Sequence, residues 1–143
     1  MDTLARHLIM EYRGCRRSIL DDLTAIEAIL TRAAEAARAT VVASRFHRFS
    51  PHGVSGVVII EESHLAIHTW PESGYAAVDF YTCGPCEPEE AHRVLARELG
   101  ATSTQTLLLH RGLEPPGPSL AFDAVGVVPI VPIGRRHADR RRG

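Results

Sequence analysis

Residues 64–70 and 75–81 each alternate apolar and polar side chains, and only Pro71-Glu72-Ser73-Gly74 stands between them. Alternation with period two belongs to a strand that has one face covered. A four-residue connection of turn formers brings the second strand back antiparallel beside the first. A fold of this chain must therefore contain a hairpin here.

The flanking segments extend the pattern. Residues 4–12 read as a first strand. Over residues 18–39 the period changes: Ile19, Leu23, Ile26, Leu30, Ala33 and Ala37 recur at three- and four-residue steps, one face of a long helix. Asp21 and Asp22 fall near its start, where the helix dipole favours negative charge. Residues 40–49 form a β-rich run closed by the turn signal Ser50-Pro51-His52-Gly53. Residues 54–60 are apolar and β-branched, hence a strand. Residues 87–99 read as a second helix, with Pro88 at its first position and Glu89 and Glu90 in its first turn. Residues 102–110 read as another strand and 114–118 as a loop. Residues 125–133 are apolar but carry Pro129 and Pro132, so they make at best an edge strand. The order β-α-β-β-β-β-α-β, with hairpins in succession, predicts an α+β two-layer sandwich: a mostly antiparallel sheet with helices on one face. At 143 residues, without an internal repeat or a linker, the chain is expected to form a single domain.

Charge and composition narrow the partners. The formal net charge of -1 supplies no global attraction to nucleic acid or membrane. Residues 134–143 hold five Arg against one Asp and read as a disordered basic tail. No apolar run is long enough to span a bilayer, and the N-terminus lacks the pattern of a secretory signal. Three Cys argue against a disulfide scaffold, so the cytoplasm is the expected compartment.

The reactive side chains crowd into residues 61–84. Ser63 falls in the turn between two strands, directly after Glu62. A serine hydroxyl there can attack the carbonyl carbon of its own preceding residue and exchange an amide for an ester. Elimination of the ester carboxylate from the serine β-carbon cuts the chain. The dehydroalanine left behind becomes an imine and hydrolyses to a pyruvoyl group and ammonia. This chemistry requires a strained turn and a nearby base. His68, in the following strand, is expected to return across the turn as that base, and Ser55, on the preceding strand, to reach the same carbonyl.

The runs Phe46-His47-Arg48-Phe49, Gly53-Val54-Ser55-Gly56-Val57-Val58, Glu62-Ser63-His64-Leu65, Ile67-His68-Thr69-Trp70-Pro71-Glu72, Gly74-Tyr75-Ala76-Ala77-Val78-Asp79 and Thr82-Cys83-Gly84 follow one another in order. Through them, from Leu4 to about His110, the chain resembles the prokaryotic S-adenosylmethionine decarboxylases. The resemblance implies cleavage between Glu62 and Ser63 into a β chain, residues 1–62, and an α chain, residues 63–143, capped by a pyruvoyl group derived from Ser63. It implies that Ser55 and His68 assist processing and that Cys83 donates the proton in decarboxylation. It implies Phe49, Leu65, Trp70 and Glu72 as substrate-binding residues, with Glu72 on the ribose hydroxyls. The implied partners are S-adenosylmethionine, bound as a Schiff base, and a second copy in a homodimer whose sites are shared across the interface. The implied product is the aminopropyl donor for spermidine synthesis. Residues from Leu113 onward depart from the family pattern.

Other readings compete for the same residues. Arginine or ornithine could be the amino acid decarboxylated, although Phe49, Trp70 and Glu72 favour a nucleoside. An unprocessed activator would not need intact Ser63, His68 and Cys83. A Ser63-His68-Asp79 hydrolase triad lacks the Gly-x-Ser-x-Gly elbow. His64 and His68 lack further ligands for zinc, so no metal is expected. Cys83-Gly84-Pro85-Cys86 resembles a thioredoxin dithiol, but the later strand lacks the proline which that site needs. Cys86 then reads as a neighbour that exposes Cys83 to disulfide formation.

Overall fold

The computed structural model describes residues 3–122. Along the chain these form β1 (Ala5–Arg13), α1 (Arg17–Leu20), α2 (Leu23–Ala36), β2 (Val41–Arg48), β3 (Val54–Ile60), β4 (Ser63–Trp70), a 3-10 turn (Pro71–Ser73), β5 (Tyr75–Thr82), α3 (Pro88–Glu98), β6 (Ser103–Arg111) and β7 (Leu120–Phe122). The strands make one seven-stranded sheet in the order β2-β3-β4-β5-β1-β6-β7. Every pairing is antiparallel. The expected hairpin is β4–β5, with Trp70 opposite Tyr75 and Ser63 opposite Thr82.

Alternation decides which face is covered. Leu8, Met10 and Tyr12 of β1, Val58 of β3, Leu65 and Ile67 of β4, and Val78 and Phe80 of β5 turn toward the helices. They meet Ile26, Ile29, Leu30 and Ala33 of α2, and Ala91 and Leu95 of α3, in one core. Burial of this apolar surface is the main force holding the two layers together. The architecture is thus the expected α+β one, with the helices on one face. Within the described residues the other face is open. It carries His64, His68 and Trp70 of β4, flanked by Ile59 and by Asp79 and Tyr81 in register. No helix among the described residues is long and apolar enough to cross a membrane.

Three local expectations are corrected. The long helix expected over 18–39 is two helices, broken at Asp21-Asp22. Asp22 is the N-cap of α2, its carboxylate accepting from the Ala25 N–H at 3.1 Å. Asp21 turns away to accept from the Gly53 N–H at 2.9 Å and from Arg48 at 2.8 Å. Short acidic side chains compete for backbone N–H groups and so start helices more readily than they continue them. Ser63 is not a turn residue but the first residue of β4. A short strand at Leu120–Phe122, not foreseen, pairs with the end of β6. The apolar run 125–133 and the basic tail 134–143 lie outside the described residues.

Candidate active site

Register builds the Ser63 end of the site. The two-residue turn between β3 and β4 is tied to the start of β2: Glu61 N–H donates to Thr40 O at 2.9 Å, and Thr40 N–H donates to Glu62 Oε1 at 3.0 Å. Ser63 enters β4 with φ of 137°, a conformation that non-glycine residues rarely adopt. Because Ser63 lies opposite Thr82, the residue after β5 comes level with the turn. Cys83 therefore donates its backbone N–H to Glu62 O at 3.0 Å, and its thiol lies 3.5 Å from the same oxygen. Two donors thus converge on the carbonyl that a Ser63 hydroxyl would attack, the arrangement that stabilises an oxyanion. A cavity of about 200 Å³ opens beside Cys83, bounded by Arg6, Thr82, Gly84, His110 and Arg111.

The other cysteines are packed away. Burial pushes the Cys15 thiol up to about 11 and raises the Cys86 thiol as well. Cys86 is buried and points to Arg38 O, while Arg6 donates to the Cys86 carbonyl. A wholly antiparallel sheet is also not the framework of a thioredoxin dithiol, which sits in a βαβ pattern.

The remaining expected residues gather at the opposite end of the sheet. Ser55 and His68 are cross-strand partners, and Ser55 Oγ meets His68 Nδ1 at 2.7 Å. Trp70, 44% exposed, stacks on Tyr75 at 5.1 Å, and the Arg13 guanidinium covers the Tyr75 ring at 4.2 Å. Phe49, 47% exposed, meets His47 edge-on. Glu72, in the 3-10 turn, meets His52 Nε2 with one carboxylate oxygen.

This division corrects the expectation that His68 returns to Ser63 within one chain. The two are five residues apart on one strand, roughly 17 Å at strand rise. Ser55 shares the displacement, because register binds it to His68. Leu65 is also corrected: its side chain is fully buried in the core and cannot meet a substrate. The hydrolase triad fails for its own reason. Asp79 is paired with His7 at 2.9 Å and His64 at 3.0 Å, not with His68. Arg111 lies 3.1 Å from the far nitrogen of His7 and 5.0 Å from the Tyr81 ring centroid. The hydrogen bond with His7 lowers the Asp79 carboxyl below its usual range; burial opposes this and His64 reinforces it. Sequence reading missed this cluster because its members come from β1, β4, β5 and β6, and the alternation of each strand was its only signal.

Known proteins resemble this chain over most of its length. Residues 6–112 match the family model described as S-adenosylmethionine decarboxylase. The S-adenosylmethionine decarboxylase proenzyme of Shouchella clausii is 50% identical over 119 residues, covering 82% of this chain and 92% of that protein. The proenzyme of Carboxydothermus hydrogenoformans is 54% identical over 102 residues, covering 71% of this chain and 80% of that one. Among solved structures, the adenosylmethionine decarboxylase of Aquifex aeolicus superposes with a TM-score of 0.70 at 33% identity, over 82% of this chain and 98% of that one.

Proposed function

The chain belongs to the S-adenosylmethionine decarboxylase family, and on that footing we propose how its residues divide the work. It is a self-processing, pyruvoyl-dependent decarboxylase that converts S-adenosylmethionine to its decarboxylated form, the aminopropyl donor for spermidine synthesis. Against arginine or ornithine, the amino acids that relatives decarboxylate with the same group, stand Phe49, Trp70 and Glu72, which suit a nucleoside.

Ser63 is the residue that reacts first. Its Oγ attacks the Glu62 carbonyl carbon, and the C–N bond breaks as the ester forms. Removal of the Ser63 α-proton then expels the Glu62 carboxylate from Cβ. The chain is cut there, and water releases ammonia from the new N-terminus to leave the ketone. The observation that carries this reading is the strained Ser63 backbone beside a Glu62 carbonyl already accepting from Cys83. Strain of this kind costs about 1–3 kcal/mol and is relieved when the bond breaks.

A pyruvoyl group at residue 63 would supply the electron sink for decarboxylation of the amine substrate. Cys83 holds the proton destined for the α-carbon, beside the new end of the α chain. Phe49 and Trp70 offer exposed aromatic faces to adenine and to the sulfonium cation. Glu72 accepts from the ribose hydroxyls.

The base must come from a second copy. One chain holds Ser63 and Cys83 at one end of β4 and Ser55, His68, Phe49, Trp70 and Glu72 at the other. A two-fold axis sets the first end of one copy against the second end of its mate, twice. The open sheet face, where Ile59 and Trp70 are exposed, is the surface the second copy covers. The working enzyme is this homodimer of cleaved chains. It acts in the cytoplasm, where Cys15, Cys83 and Cys86 stay as free thiols.

Intact mass spectrometry of the purified protein tests the reading. Two fragments are expected, residues 1–62 and a ketone-capped 63–143 that phenylhydrazine traps with loss of activity. Ser63→Ala stays as one chain and is inactive. A fully active, uncut protein indifferent to phenylhydrazine would refute it.

A further inference from the structure

His52 sits at the tip of the turn between β2 and β3, and nothing in the processing or decarboxylation chemistry uses it. Its Nε2 meets Glu72 Oε2 of the turn between β4 and β5. The backbones of both turns are pinned. Gly53 is held by Asp21, and Phe49 N–H donates to Gly53 O at 2.8 Å. Gly53 has φ of 108°, and a side chain there would press on Thr69 O at 3.1 Å, so the turn depends on glycine. The 71–74 turn is held by Cys15 N–H donating to Gly74 O at 2.9 Å, and Pro71 is buried. With both main chains fixed, the remaining freedom is that of the half-exposed Glu72 side chain itself. An unrestrained glutamate loses rotamer freedom whenever a ligand orders it, and that loss is subtracted from affinity.

We propose that His52 is a positioning residue that fixes the Glu72 carboxylate for a vicinal diol. This rests on the reading of Glu72 as the acceptor for the ribose hydroxyls. His52 holds Oε2 and leaves Oε1 to receive the two hydroxyls, so the geometry for the sugar exists before the substrate arrives. Phe49, three residues before His52, and Trp70, two before Glu72, belong to the same pair of turns, so the aromatic faces and the diol acceptor are held together. His52 touches no reacting atom; its effect falls on binding and not on the bond-breaking step.

Steady-state kinetics of His52→Ala, His52→Gln and Glu72→Gln on fully cleaved enzyme tests this. His52→Ala is expected to raise KM for S-adenosylmethionine roughly twofold to tenfold, with kcat within about twofold. His52→Gln, which keeps a donor at similar reach, restores most of the loss. Inhibition by methylthioadenosine weakens with KM in His52→Ala, while inhibition by its 2′,3′-dideoxy counterpart, which has no diol to receive, is unchanged. Two results overturn the proposal with Glu72 still in its role: an unaltered KM in His52→Ala where Glu72→Gln raises it, or an equal loss for both inhibitors. If Glu72→Gln leaves KM unaltered, the reading of Glu72 itself falls, and the proposal with it.

Discussion

Cys83 has two attachments to the Glu62 carbonyl, and on the proposed mechanism they separate processing from turnover. The backbone N–H survives any substitution except proline, whereas the thiol does not. Cys83→Ala is therefore expected to cleave, yet to decarboxylate about 10²- to 10⁴-fold more slowly, the usual worth of a placed proton donor. Gel analysis beside CO2 release checks this; a Cys83→Ala protein with wild-type turnover would remove the thiol from the chemistry. Asp79 has a different role, in the folded state. Its carboxyl is held below the usual range, chiefly by His7. Such a group adds stability that is complete above its unfolded value, near about 3.9, and disappears as pH falls through the lower folded value. Asp79→Asn is thus expected to be less stable than the parent at about pH 6, with the gap closing at a pH well below the unfolded value. Urea unfolding at the two pH values measures it, and a gap that persists in acid would show that the histidine contacts contribute nothing.

At the scale of elements, short-range chemistry is decisive at the ends of helices and packing is decisive inside the sheet. Asp22→Ala removes the cap of α2 and is expected to cost about 1 kcal/mol, seen as a lower Tm. Gly56 and Phe46 illustrate the second case. Both stand in runs that mark the family resemblance, but only pairing of β2 with β3 puts them opposite one another. A Cβ on Gly56 would come within 1.9 Å of the Phe46 ring. Gly56→Ala is expected to destabilise by about 1–3 kcal/mol through overpacking. In a thermal-melt cycle, the double change Phe46→Ala with Gly56→Ala should cost less than the sum of the two single changes. The strands were legible because alternation is local. The break at Asp21-Asp22 was not, because the helical period runs through it and Gly53 and Arg48, the partners of Asp21, are far along the chain.

At the scale of the whole molecule, the separation of Ser63 from His68 demands a test that a single chain cannot pass. Co-expressed Ser63→Ala and His68→Ala chains form mixed dimers in which one site has both an intact serine and an intact histidine. If assembly is random, about half of the His68→Ala chains should be cleaved, although neither variant is cleaved alone. Fragment masses read the result directly, and no cleavage in the mixture would mean that the site does not draw on two copies.

Sequence by itself determined the sheet's alternation, the serine proposed as the point of self-cleavage and the family to which the chain belongs. These are carried by neighbours on the chain, where spacing alone states the chemistry. Only the tertiary structure decided that Cys83 lies on the Glu62 carbonyl, that Leu65 belongs to the core, and that Ser55 and His68 stand a strand's length from Ser63. Cross-strand register makes those choices, and register is fixed by which faces bury their side chains together, a property of the assembled sheet and of no single segment.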